Sequence, residues 1–415
     1  MRYAGVWLIA ALTVLAILLR PRGWPEAVWA CLGAALLVVL HFLSPGQAIL
    51  AMQKGVDVYL FLAGMMLLAE MARRQGLFDW LASHAVNAAR GSPARLFALV
   101  YLVGVIVTTL LSNDATAVVL TPAVYAAVKK ARGAVLPYLF ICAFIANAAS
   151  FVLPISNPAN LVIFGRQMPH LAAWFRFFAL PSALSIAATY FALRFLTRSE
   201  LRGEMESSVN SSRLSSSGRL VAWGIGFTAI VLLCSSALGK NLGLPTFLAA
   251  LAMLAIVLLS GRDSLAPVVK HITWGVLPLV AGLFVIVEAL NIVGIVGGLR
   301  ELLHDLHNFA PLAGSLATSF GVAVACNIGN NLPVGLLAGS AIQGDSVSTL
   351  IRNALVVGVD LGPNFSVTGS LATILWLIAL RREGEHVSAW QFLKLGLLVT
   401  PPALFFATCA LLVSS

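Results

Sequence analysis

Apolar runs recur along the whole chain and are cut by short polar breaks, the pattern of helices at membrane depth. Runs near 4–19, 27–43 and 56–72 predict three spans, and 77–89 mixes apolar and polar positions at helical spacing, which predicts an amphipathic helix. Leu96 to Leu111 and Ala115 to Val128 then flank Ser112-Asn113-Asp114. Both arms are short for a full crossing at 1.5 Å per residue, so 95–128 is expected to be a re-entrant hairpin with its tip at Ser112–Asp114. The next run, 134–165, is interrupted by Pro154-Ile155-Ser156-Asn157-Pro158-Ala159-Asn160, and a span at 174–196 follows. Non-helical backbone at membrane depth is tolerated where it is buried in protein or lines a wet cavity. The interruption therefore predicts a broken helix, the device with which transporters build substrate and ion sites.

Residues 198–218 are Ser-rich and charged, and read as a flexible cytoplasmic linker. After them the plan repeats. Spans are expected near 220–237, 245–259 and 274–292, an amphipathic helix at 296–307, a second hairpin at 311–345 around Asn327-Ile328-Gly329-Asn330-Asn331, a second broken helix at 350–380 and a last span at 390–412. The repeat shows at residue level. Ala63-Gly64 and Ala281-Gly282 are each followed at fixed offsets by Glu70 or Glu288, by Gly76 or Gly294, and by Asn113 or Asn331. The expected fold is an all-α integral membrane protein of two repeats, 1–197 and 219–415. Each has five spans, a hairpin and a broken helix, about ten spans in all. An odd number of spans per repeat makes the two inverted relative to each other.

Composition supports the membrane assignment. The 415 residues are 60% hydrophobic and 10% charged, against about 25% charged in soluble domains. The net charge of +10 is not gathered into a patch, so nucleic acid is not an expected partner; the bilayer is. With both termini outside, the cytoplasmic positions are Arg20, Arg22, Arg73, Arg74, Arg90, Arg95, Lys129, Lys130, Arg132, Arg194, Arg198, Arg202, Arg213, Arg219, Arg262, Lys270, Arg381, Arg382 and Lys394. These are nineteen of the 26 Lys and Arg residues, which fits the positive-inside rule. The five cysteines, Cys31, Cys142, Cys234, Cys326 and Cys409, are scattered singly without metal-ligand or disulfide spacing. No resident metal and no cofactor are expected. No G-x-x-x-x-G-K-[ST] motif occurs, so the chain is not itself an ATPase.

Candidate chemistry sits at the tips and breaks. Asp114 lies between two apolar arms, where an ionisable group costs roughly 2.5–3.5 kcal/mol on insertion scales and marks a functional site by default. It is the first choice for proton coupling; its structural alternative is an N-cap for the helix starting at Ala115. Asp360, before the second break, is the second choice. Asn113, Asn330 and Asn331 at the tips, with Thr116 and Asn327 beside them, offer neutral donors and acceptors. Ser156, Asn157 and Asn160 in one break and Thr368 and Ser370 in the other offer the same, and Pro158 and Pro363 enforce the breaks. Glu70 and Glu288 are expected to snorkel towards the interface, and Asp57 to be interfacial. No Arg is evident near the breaks, so a multivalent anion is poorly served.

The segments Ser112–Pro122, Ser156–Val162, Asn330–Pro333 and above all Asp360–Trp376, D-L-G-P-N-F-S-V-T-G-S-L-A-T-I-L-W, resemble the arsenite efflux permeases, the ArsB family of the ion transporter superfamily. The resemblance runs from about residue 25 to 413. It implies two inverted repeats and elevator-type movement. It also implies export of trivalent arsenic and antimony as neutral hydroxides, exchanged for protons across the cell inner membrane. Some such permeases associate with a soluble arsenical-pump ATPase, which is carried here as a partner to be tested. The second tip departs from a Ser-Asn-Thr pattern, and the linker is short. Alternatives in the same superfamily are a sodium/proton antiporter and a carboxylate transporter.

Overall fold

The computed structural model describes residues 2–210, 213–259, 264–343 and 347–414. Among them the regular structure is helical. The first half runs α1 (Arg2–Leu19), α2 (Glu26–Val39), α3 (Pro45–Lys54), α4 (Val56–Arg74), α5 (Leu77–Ala89), α6 (Pro93–Leu110), α7 (Thr121–Lys130), α8 (Leu136–Ala148), α9 (Pro158–Phe164) and α10 (Leu171–Leu196). The second runs α11 (Ser216–Ala237), α12 (Gly243–Leu259), α13 (Leu265–His271), α14 (Val276–Ile292), α15 (Ile295–Phe309), α16 (Pro311–Gly329), α17 (Asn331–Ala341), α18 (Thr349–Leu361), α19 (Leu371–Arg382) and α20 (Ala389–Ser414). Ten α-helices fall on either side of residues 198–210 among the described residues. Arg262, Ser211 and Ser212 of the linker, and the last two residues of the expected second hairpin, 344–345, lie outside the described residues.

Five of the described helices are long and apolar enough to cross a membrane: α6, α10, α11, α16 and α20. Two of them, α6 and α16, are hairpin arms, longer than the sequence reading allowed. The return arms are shorter. A π-helical turn at Ala115–Leu120 leads into the ten-residue α7, and α17 has 11 residues. Two further helices were not anticipated. α3 meets α4 at a bend of 50°, and α13 meets α14 at 42°. α3 starts with a capping box, the Ser44 hydroxyl accepting from Gln47 N and the Gln47 side chain accepting from Ser44 N.

The halves interlock. α4 packs on α12 and α2 on α14, while α10 packs on α20. Gly64 and Gly282 permit the first two crossings. A Cβ on Gly64 would lie 2.8 Å from the Thr246 carbonyl carbon, and one on Gly282 2.8 Å from the Ala30 backbone. The repeated Ala-Gly pair thus marks equivalent close approaches. Gly76 and Gly294, at φ 71° and 85°, start α5 and α15 in the same left-handed conformation. Asp57 ties α4 to α12, its Oδ1 accepting from Gly243 N at 2.9 Å. Glu70 is buried and forms a two-bond pair with Arg73 at 2.7 and 2.6 Å. Glu288 pairs with Lys54 on α3 at 2.6 Å. Neither reaches for the interface alone, because a cation stands within reach of each.

The linker is less free than its composition suggests. Leu201 is buried, Met205 packs against Gly133 and accepts a long contact from the Tyr138 hydroxyl at 3.6 Å. Glu206 N donates to Ala131 O at 3.0 Å, and Val209 N to Asn87 Oδ1 at 2.7 Å. Apolar residues spaced by four among the serines let this strap hold the turns that open α6 and α8.

Candidate functional site

Each break leaves carbonyls without helical partners, and buried carbonyls must find them. In the first break the Ser150 hydroxyl donates to Asn147 O at 2.8 Å, Ser185 to Ala148 O at 3.0 Å, Asn160 Nδ2 to Ser150 O at 3.0 Å and Trp174 Nε1 to Phe151 O at 3.2 Å. In the second, Asn327 Nδ2 donates to Gly362 O at 2.8 Å, and Asn331 N to Gly369 O at 2.9 Å. The breaks are therefore fixed by neighbouring side chains, so the polar groups they carry are pre-positioned.

Those groups meet. Asn113 and Asp114 of the first tip, Asn157 and Pro158 of the first break, Asn331 and Leu332 of the second tip and Ser370, Leu371 and Ala372 of the second break line one small cleft. Leu62 of α4 and Val276 of α14 complete it. Four helix starts converge there: Asn113 at the first tip, α9, α17 and α19. Helix starts carry partial positive charge. Among the described residues lining the cleft none is basic, and the one carboxyl is that of Asp114. The arrangement suits a small uncharged ligand bearing several oxygens, held by short-range donors and acceptors.

Asp114 does not act as the cap that the sequence left open. It is helical at φ −63°, ψ −42° and its side chain makes no capping bond; Ser112 Oγ accepts from Ala115 N at 3.2 Å in its place. Asn113 Oδ1 accepts from Asp114 N at 2.9 Å. Ser370 caps α19, accepting from Thr373 N at 3.1 Å. Asn157 caps α9 through Oδ1, which accepts from Ala159 N at 3.0 Å.

Other candidates lie behind this surface. Thr116 is buried and bonds Thr108 across the two arms at 2.8 Å. Ser156 donates to Thr109 O at 3.2 Å and joins the first break to α6. Asn327 also accepts from Ser366 Oγ at 2.6 Å, and Thr368 donates to Asn327 O at 3.0 Å; together they lock the second break to α16. Asn160 and Asp360 are buried beyond Asn157. Asn330, at φ 66°, lines an adjoining cleft that shares Leu332 and Leu371 with the first. Glu26, ion-paired with Arg20, borders that second cleft. The apolar wall residues Leu62, Val276, Leu332 and Leu371 were missed by sequence reasoning. An apolar position on a helix carries the same signal whether it meets lipid, core or cleft.

Comparison with known proteins agrees with a transporter. Residues 11–358 match the family model described as citrate transporter. The chain is 27% identical to an arsenical pump membrane protein of Escherichia coli (strain K12), over 97% of both chains. It is 22% identical to a putative arsenical pump membrane protein of Bacillus subtilis (strain 168), over 96% of both. Among solved structures, the Alcanivorax borkumensis YdaH transporter, whose crystal structure is described as revealing an unusual topology, superposes with a TM-score of 0.61. The two are 16% identical, with 88% of this chain and 86% of that one covered. At that identity the likeness carries the fold alone.

Proposed function

The chain belongs to the citrate transporter (CitMHS) family, and from that premise we propose that it exports trivalent arsenic and antimony from the cytoplasm. It is a multi-pass membrane transporter whose full-length relatives include arsenical pump membrane proteins. In this reading it is a secondary transporter of the inner membrane. The cargo is the neutral hydroxide of arsenite or antimonite, exchanged for protons that use Asp114 and Asp360. The observation that carries the reading is the cleft itself. Two tips and two breaks bring amides, hydroxyls and helix starts around one small space without a basic residue. A neutral trihydroxide needs such groups and no charge clamp.

The proposed architecture is two inverted repeats, 1–197 and 219–415, of five spans each. The hairpins and broken helices form a moving body, and α2, α4, α12 and α14 a scaffold. The mutual packing of α4 on α12 and α2 on α14 supports such a frame, because equivalent helices of the two halves contact each other in exchanged pairs. A soluble arsenical-pump ATPase would dock, if at all, on the linker side, where the strap over Ala131 and Tyr138 leaves a short surface.

The family's description favours a second reading, transport of a carboxylate. A tricarboxylate in this cleft would meet the carboxyl of Asp114 with no Lys or Arg lining the space, and like charges at close range repel. Growth of an efflux-deficient host separates the readings. Expression of this chain should restore growth on arsenite and antimonite. Rescue on high sodium alone would favour a sodium/proton antiporter, and citrate uptake without arsenite resistance would favour the carboxylate reading.

A further inference from the structure

Asp360 stands next to the end of α18, fully buried, and lines neither cleft. Asn157 connects it to the substrate space: Nδ2 donates to Asp360 Oδ1 at 2.5 Å while the residue itself lines the cleft. The second carboxylate oxygen, Oδ2, is buried without a hydrogen bond, and so is Oδ1 of Asn160. The Asn160 and Ser150 side chains reach this same carboxyl. The Asn160 amide cannot be turned to serve it, because its Nδ2 is committed to the carbonyl of Ser150 at 3.0 Å. The Ser150 hydroxyl is committed to Asn147 O. By geometry Oδ2 of Asp360 is thus left without a partner, and so is Oδ1 on the neighbouring Asn160 side chain.

An unmatched buried acceptor costs about 1–3 kcal/mol, and an uncompensated buried carboxylate costs more. On α18 itself the one cation is Arg352, eight residues before Asp360. Of the elements packed against α18, α16 brings the buried thiol of Cys326 close to Asp360. On α8, Cys142 is bonded to Thr121 and Tyr138 to Pro93 O. On α20, Lys394 lies over Trp390 and Cys409 is half-buried. On α15, Arg300 donates to Ala341 O, and Glu301, His304 and Asp305 are exposed. α9 and α17 carry no titratable side chain. One proton on Oδ2 supplies the missing donor for Asn160 Oδ1 and removes the charge.

We propose that Asp360 carries the coupling proton on Oδ2, shared with Asn160 Oδ1, in a site separate from the substrate cleft, and that Asn157 is the positioning residue joining the two. This deepens the arsenite–proton reading and rests on it. With Asp360 ionised, a charge-assisted bond holds Asn157 and, through it, the start of α9 at the cleft. Protonation forms an O–H on Oδ2, takes its proton from water and weakens that bond. Asn157 and the cleft wall then loosen, so cargo and proton favour opposite states. Deprotonation returns the proton to water on the other side. Of the two carboxyls named for the protons above, Asp360 alone then holds the coupling proton, and Asp114, which lines the cleft, contacts the cargo.

The test uses purified full-length wild type, Asp360→Asn, Asp360→Glu, Asn160→Ala, Asn157→Ala and Asp114→Asn, each checked for monodispersity. Infrared difference spectra over pH steps, without cargo, read the C=O stretch of a protonated carboxyl. A pH-dependent band is expected in wild type, Asp114→Asn and Asn157→Ala, and is absent from Asp360→Asn. In Asn160→Ala its midpoint should move to lower pH by about one unit, the size of one lost hydrogen bond to the protonated form. Asp360→Glu should keep a band with an altered midpoint, which separates a lost proton site from a lost fold. In proteoliposomes, Asn157→Ala should flatten the pH dependence of whatever arsenite flux remains and lower the protons moved per arsenite. A band unchanged in Asp360→Asn, or removed by Asp114→Asn instead, overturns the proposal, as does a wild-type proton ratio in Asn157→Ala. Absence of arsenite flux in wild type would sink the cargo reading, and the infrared arm would still decide the proton site.

Discussion

Cys326 and Asp114 lie equally near their tips along the chain, yet folding gives them different surroundings. Asp114 lines the cleft, whereas Cys326 is fully buried on α16 and lines neither cavity. Thiolate bonding to arsenic therefore has no place in the proposed cycle, and a tight soft-ligand bond would slow release. Replacing all five cysteines by Ala or Ser should leave most arsenite resistance intact, measured as growth with membrane levels checked by immunoblot. Loss of transport at normal levels would bring a thiolate back into the mechanism. The polar side chains of the site were legible in the sequence because each interrupts an apolar run. Their division of labour was not. Asn157 and Asn160, three residues apart, look alike, but one lines the cleft and the other is buried behind it. Thr116 reads as a tip residue and spends its hydroxyl on Thr108. Such pairings depend on which arm packs where, and that information is non-local.

The interruptions between elements were read well, since Pro158 and Pro363 stop helices by local chemistry. The amphipathic α5 was read to the residue, Leu77–Ala89. The short α3 and α13 escaped, being too brief to show a period and joined to longer spans by one or a few residues. Close helix crossings are a third kind of feature, visible as repeated glycines once the partner is known. At Gly64 a side chain would strike the Thr246 backbone 2.8 Å away, and backbone cannot move aside. Gly64→Ala should lower stability by about 1–3 kcal/mol, the usual cost of overpacking. The measurement is the thermal melting point in detergent. Gly226→Ala, where nothing lies within 4 Å, is the control and should hold or raise it slightly, because Gly is the poorer helix former. Equal losses at both positions would mean that the α4–α12 crossing is not the tight contact described. Gly282→Ala should repeat the Gly64 result at the α2–α14 crossing, as equivalent crossings require.

At the scale of the whole molecule, the question is how the proposed halves are set across the bilayer. Orientation is governed by Lys and Arg near the ends of spans. With both termini outside, nineteen of the 26 such residues fall on the cytoplasmic side. The structure adds that the basic ends of α7 and α19 lie together: Lys129 bonds the Tyr125 hydroxyl, which donates to Glu383 O at 2.9 Å. The strap of residues 201–209 bonds Ala131 and Asn87, at the same end of the first half as Arg90 and Arg132. These contacts put the linker, the base of the first hairpin and the end of α19 on one side. A reporter fused after the last residue should therefore behave as periplasmic, and one inserted at Glu204 as cytoplasmic. Both are read by paired alkaline phosphatase and fluorescent-protein fusions in cells that retain arsenite resistance. A cytoplasmic C-terminus beside a cytoplasmic Glu204 in a fully active protein would mean an even number of crossings between them. That would break the equivalence of the halves and overturn the ten-span inverted arrangement, while leaving the cleft and its lining untouched.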